Sequence, residues 1–178
     1  NASGNGEIHN LTQSGYNDTG AKWVLDGKAM IWSSDRAGYR SHGSWGSHRD
    51  IYIMFFDAEE YDKFRMNKEE LALYEEAQNE EKAKEQEKTA DKKDKKDDKK
   101  DDKKDEKKDE VKPLQFDLAN REHRIVRLTT HSSSLGDAVL SKKGDKLYYL
   151  TRFEGGMDLW ERNFLEGSDK IVAKGYGY

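Results

Sequence analysis

The chain has 178 residues, of which 38% are charged and only 33% hydrophobic, with a net charge of −4; a packed domain carries a larger apolar share, so part of this chain lies outside any core. It holds no cysteine, which excludes a disulfide framework, thiolate zinc sites and cysteine catalysis. No apolar run approaches the roughly 18 residues of a membrane-spanning helix, and no clustered basic surface offers itself to nucleic acid.

Residues 1–6 read as a tag remnant or leader: Asn1-Ala2 has the look of a scar from tag removal, and no signal peptide opens the chain. Residues 7–56 carry the first strands. After Leu11-Thr12 and a polar loop, "WVLDGKAMIWSSDR" (Trp23 to Arg36) reads as a strand, an Asp-Gly turn and a second strand. Ser33 and Ser34 beside Asp35 invite comparison with a hydrolase nucleophile. The strained nucleophile turn needs G-x-S-x-G, and "IWSSDRAG" lacks the leading glycine and any following helical pattern, so the serines end a strand and Asp35 to Gly38 form a turn. The loop "YRSHGSWGSH" contains His42, Trp45 and His48. No third histidine or carboxylate stands at a ligand spacing, so no metal or other cofactor is expected; an aromatic on a Gly-Ser loop with no core to enter makes these three candidate rim-loop contacts. "DIYIMFF" from Asp50 is the next strand.

Residues 57–112 are a different material. Asn67-Lys-Glu-Glu70 supplies an N-cap and an acidic first turn, and the helix formers that follow predict a helix docking weakly through Leu71, Leu73, Tyr74 and Ala77. From Asp91 to Glu110 ten lysines alternate with ten acids and no apolar side chain intervenes. That composition predicts a solvated, disordered loop past Thr89; each aspartate has a lysine beside it, so calcium is not expected there. Pro113 marks the return to folding sequence, and residues 113–178 complete the first unit and carry the second.

The folding segments repeat at a constant offset of 117 residues: Leu11-Thr12 answers to Leu128-Thr129, Ala21 to Ala138, Gly27 to Gly144 and Gly38 to Gly155. "AMIWS" then matches "KLYYLT" from Lys146, and "DIYIMFF" matches "DLWERNF" from Asp158, after a loop nine residues longer in the first copy. Runs of four to seven residues bounded by Gly, Asp, Asn or Ser, in units of about 40 to 50, predict an all-β chain of two antiparallel β-propeller blades with a charged helical and disordered insertion. Trp32, Tyr52, Tyr148, Tyr149 and Trp160 then become packing between blades. Two blades are a partial propeller, with edges and faces open to self-association.

The pattern Leu11-Thr12, "WVLDGKAMIWSSDRAG" and "DIYIMFFD" resembles the repeat LT…WSPDGKxIxFxSDRxG…xIYxxD of TolB-like and tricorn-type proteins, with Leu25 in place of the proline. "FDLANREHRIVRLT" followed by "THSSSLGDAVLSKKGDKLYYLTRFEGGMDLW" is more particularly similar to the N-terminal propeller region of bacterial tricorn-like, S41-type serine peptidases. The resemblance implies a parent with further blades, a PDZ domain and a serine catalytic core, and peptides or unfolded protein as partners. It carries no catalytic residue onto this chain. The expected compartment is the periplasm or cell envelope of a bacterium, with the cytoplasm as alternative. A TolB-like protein-binding propeller without a peptidase domain is the alternative function.

Overall fold

The computed structural model describes residues 6, 8–40, 46–93, 116–153 and 155–175. The chain divides into two compact units, Asn1–Phe64 with Gln115–Tyr178, and Arg65–Leu114. The first is mostly β: two four-stranded antiparallel sheets, each a simple meander. The first sheet is β1 (Asp18–Val24), β2 (Ala29–Ser34), β3 (Asp50–Phe55) and β4 (Ile125–Arg127). The second is β5 (Ser134–Leu140), β6 (Lys146–Arg152), β7 (Asp158–Asn163) and β8 (Ser168–Ala173).

The 117-residue repeat extends to strand pairing. Trp32 lies opposite Tyr52, and Tyr149 opposite Trp160, so an aromatic pair recurs across β2/β3 and β6/β7 with its members exchanged. Each first hairpin has a bulge, between Thr19 and Lys22 in β1 and, one residue earlier in the repeat, between Leu135 and Ala138 in β5. An extra residue there bends and twists the strand in both sheets alike.

One core joins the sheets. Ala29, Ile31, Ile51, Ile53 and Phe55 from the first pack with Ala138, Leu140, Leu147 and Tyr149 from the second, all buried. Because side chains alternate across a strand, Trp32, Tyr52, Met54 and Phe56 fall on the opposite face of the first sheet. There they form a second buried cluster under Leu11, Leu118 and Ile125. Strand β3 is therefore buried along its whole length, as its unbroken apolar run requires. Arg121 ties the cover together by donating to the backbone oxygens of Leu11 and Asn10, each at 2.9 Å.

The sheets stack head to tail. Tyr149 and Leu147 occupy the repeat positions of Trp32 and Met30, yet they pack against the Ile31 face of the first sheet. Like faces do not meet. The opposite face of the second sheet, which carries Val139 and Val172, is left exposed.

The turn after β1 is built around Leu25. Leu25 has φ +53° and Asp26 φ +53°, and the Lys28 N–H closes the turn onto the Leu25 oxygen at 3.0 Å. Proline's ring holds φ near −65°. The conformation at residue 25 is thus closed to the proline of the general repeat, and the Leu25 side chain instead packs beside Gly144 and against the shared core.

Helix α1 (Ala58–Arg65) is capped by Asp57, whose carboxylate accepts the Glu60 N–H at 3.0 Å, and it lays Tyr61 and Phe64 against Phe55. The second unit holds α2 (Lys68–Lys93). Its start is a reciprocal cap: Asn67 Oδ1 accepts the N–H groups of Glu69 and Glu70 at 2.9 Å, and Glu70 accepts the Asn67 N–H at 2.9 Å. Leu73 stands exposed on this helix. The helix continues to Lys93, past the Thr89 boundary drawn from composition, because extending a formed helix by one residue costs far less than nucleating it. The rest of the Lys-Asp tract lies outside the described residues. No helix among the described residues is long and apolar enough to cross a membrane.

Candidate functional site

Two places concentrate polar chemistry, and both sit where strand ends meet. At the end of the first sheet, Asp50 is fully buried and collects four contacts: Arg127 Nε at 2.9 Å and Nη2 at 2.8 Å, Thr129 Oγ1 at 2.7 Å and Ser132 Oγ at 2.7 Å. Residues 127 to 132 form the link from β4 to β5, so this carboxylate fastens the passage from one sheet to the next. A backbone pair adds to it, with Arg49 and Ser133 exchanging N–H···O bonds of 2.8 and 3.1 Å.

Beside it, Asp35 accepts the Asn17 N–H at 3.0 Å and the Ser47 hydroxyl at 3.3 Å, drawing the rim loop onto the strand end. Arg36 lies over the ring of Tyr52 at 4.7 Å and that of Trp32 at 5.6 Å, and pairs with Asp18 at 3.4 Å. Burial works to raise the Asp18 pKa; hydrogen bonds from Ser14, Ser34 and Thr12 and the Arg36 charge outweigh it, and the carboxyl is held below its ordinary value. The group is a structural anion, paired and kept ionised.

The second place is a concave pocket of about 510 Å³ on the second sheet. Its aromatic side is Tyr149, Phe153 and Trp160; Asp158, Asp169, Ile171, Lys174 and His131 complete it. Phe153 meets Trp160 edge to face at 5.2 Å. Trp160 Nε1 and Asp169 Oδ1 are buried without a hydrogen-bond partner, although Asp169 Oδ2 takes Thr130 at 2.7 Å and Arg162 at 2.6 Å. Burial first, and then the Asp169 charge, pushes the Tyr149 hydroxyl up to about 12, so it stays protonated as a donor. An aromatic concavity with carboxylates at its margin suits a cationic or amide-bearing guest.

His42 and Trp45, read from sequence as rim-loop contacts, lie outside the described residues. His48 is exposed; its N–H bonds to the Tyr39 oxygen at 2.9 Å and its ring stands 6.1 Å from that of Tyr39. Gly38 allows this crossing, since a Cβ there would fall 1.8 Å from the His48 oxygen. Ser34 is buried with its hydroxyl accepting from Arg36 Nε at 3.2 Å, so it ends its strand and serves the turn, while the Ser33 hydroxyl is buried without a hydrogen-bond partner. Trp32 and Tyr52 are core, Tyr149 is core and pocket wall at once, and Tyr148 points to the other face beside Glu161. His131, Phe153, Asp169, Ile171 and Lys174 are the pocket residues that strand patterning did not single out, while Trp160, read from sequence as packing, lines the pocket as well. The repeat carried a sign of the pocket, where "RFEGG" answers to "DRAGY" and leaves the second aromatic pair without its arginine. Among the described residues no group of His, Asp or Glu could hold a metal ion.

No protein-family model matches the chain, and no curated protein matches it.

Proposed function

We propose that the two sheets are consecutive blades of a β-propeller, and that the chain is a non-catalytic segment of a tricorn-like serine protease. Its role there is structural: it builds part of a channel or docking surface for peptides. The observation that carries this reading is the head-to-tail stack, in which the Ile31 face of the first sheet receives the Tyr149 face of the second. A unit that presents unlike faces to its neighbours repeats without limit unless rotation closes it, and a ring of four-stranded meanders is a propeller. Aromatic pairs at equal positions, and bulges within one residue of each other in the repeat, support the same operator acting twice. The tricorn-like assignment rests on the sequence resemblance, above all in residues 116 to 160, and fold alone does not supply it.

The test is degradation of a peptide mixture by the full-length natural gene product, with and without a serine-modifying inhibitor. Inhibitor-sensitive cleavage is expected. A folded full-length product that cleaves nothing would refute the protease assignment and favour a binding propeller.

A further inference from the structure

The two repeats carry the same aromatic pair but resolve its surroundings differently. In the first sheet, Trp32 and Tyr52 are topped by the Arg36 guanidinium, and Asp50, at the start of the same strand as Tyr52, is neutralised by Arg127. In the second sheet the pair is Tyr149 and Trp160, and the carboxylate is retained as Asp158. Both cations are gone. Phe153 stands at the repeat position of Arg36, and Ile171, which lies opposite Trp160 as Arg127 lies opposite Tyr52, stands at that of Arg127. Asp158 keeps a bond from the Gly175 N–H at 3.0 Å.

The space that remains is the 510 Å³ pocket, walled in part by Trp160, whose Nε1 is buried without a hydrogen-bond partner. Lys174 also lines it but is exposed to solvent. The adjoining strand β8 is an edge of its sheet, so it offers backbone groups to an extended chain alongside.

We infer that this pocket takes the arginine side chain of an extended peptide, the guanidinium lying against Trp160 and Tyr149 and pairing with Asp158, as Arg36 and Arg127 do within the first sheet. This deepens the peptide-docking reading and rests on it. Attraction of a cation to a ring is worth about two- to thirty-fold in affinity, according to how dry the site is. The planar guanidinium also suits the carboxylate better than an ammonium does.

The experiment uses the full 178-residue chain and follows the assigned Trp160 indole N–H by NMR. The probes are an acetylated, amidated pentapeptide with a central arginine in alanine, and the same peptide with citrulline, which keeps the shape and loses the charge. Saturable shifts at Trp160 are expected with arginine, with binding about tenfold weaker for citrulline. Asp158→Asn keeps an acceptor for Gly175 and should weaken the arginine peptide by at least about tenfold. Phe153→Arg restores the internal cation and should abolish binding while the variant melts no lower than the parent chain. Equal binding of the arginine and citrulline peptides would overturn the inference and leave peptide docking standing. Absence of any shift at Trp160 would overturn it as well. Arginine-selective binding beside a full-length product that cleaves no peptide would keep the pocket and remove the protease.

Discussion

Asp50 provides the sharpest test of how the sheets are joined. Replacing it with alanine removes the acceptor of Arg127, Thr129 and Ser132 together. Truncating one partner of a buried ion pair costs about 3–5 kcal/mol when the other is left dry. Here the Arg127 side chain is 36% exposed and can rehydrate, so its share falls below that range, to about 2 kcal/mol. Thr129 is buried, and its hydroxyl loses an acceptor at about 1 kcal/mol. A loss of about 3 kcal/mol follows, and at a urea slope of roughly 2 kcal/mol per molar the midpoint falls by about 1.5 M. Asp158→Ala is the internal comparison. It removes one backbone bond at the equivalent site and should cost about 1 kcal/mol or less. Urea unfolding followed by far-UV circular dichroism reads both variants. Equal losses, or an Asp50→Ala loss below about 1 kcal/mol, would refute the view that this carboxylate fastens one sheet to the next.

Three further outcomes follow from local geometry. Leu25→Pro places proline at φ +53° and should destabilise by more than about 1 kcal/mol, although the general repeat carries proline there; an unchanged thermal midpoint would refute the turn conformation. Gly38→Ala must displace the His48 carbonyl and should cost about 1–3 kcal/mol, read by the same urea titration. The Asp18 carboxyl is held below its ordinary 3.8 in the fold. Its contribution is therefore complete above that pH and is lost as pH falls from there through the lowered value. Asp18→Asn should flatten the acid limb of the stability profile below about pH 4 and leave its shape above pH 5 unchanged; an identical acid limb would contradict the pairing.

The strands were legible because their signals are local. "AMIWS", "DIYIMFF", "KLYYLT" and "DLWERNF" each became a strand, since β-branched and aromatic runs between turn residues admit little else. The constant offset of 117 carried over into the pairing register of the first hairpins, and into bulge position to within one residue, which composition alone could not have given. The direction of stacking was not legible. Isoleucine at 31 and tryptophan at 32 are both apolar, and only three-dimensional contact shows which faces the second sheet. The pocket was hidden for a related reason: Tyr149 and Trp160 satisfy a core pattern whether or not an arginine lies over them.

The Asp117 N–H bonds to the Phe56 oxygen at 3.0 Å, so the long excursion between β3 and β4 leaves and rejoins the sheet at one point. The entropy of closing such an excursion rises only with the logarithm of its length, about 0.6 kcal/mol for each doubling. Past α1, whose Tyr61 and Phe64 pack against Phe55, the rest of the excursion is to the sheet a single loop, whatever its composition. That junction is therefore a port: residues could be added, exchanged or deleted there across evolution, and a foreign domain grafted by design, while the strands on either side keep their register.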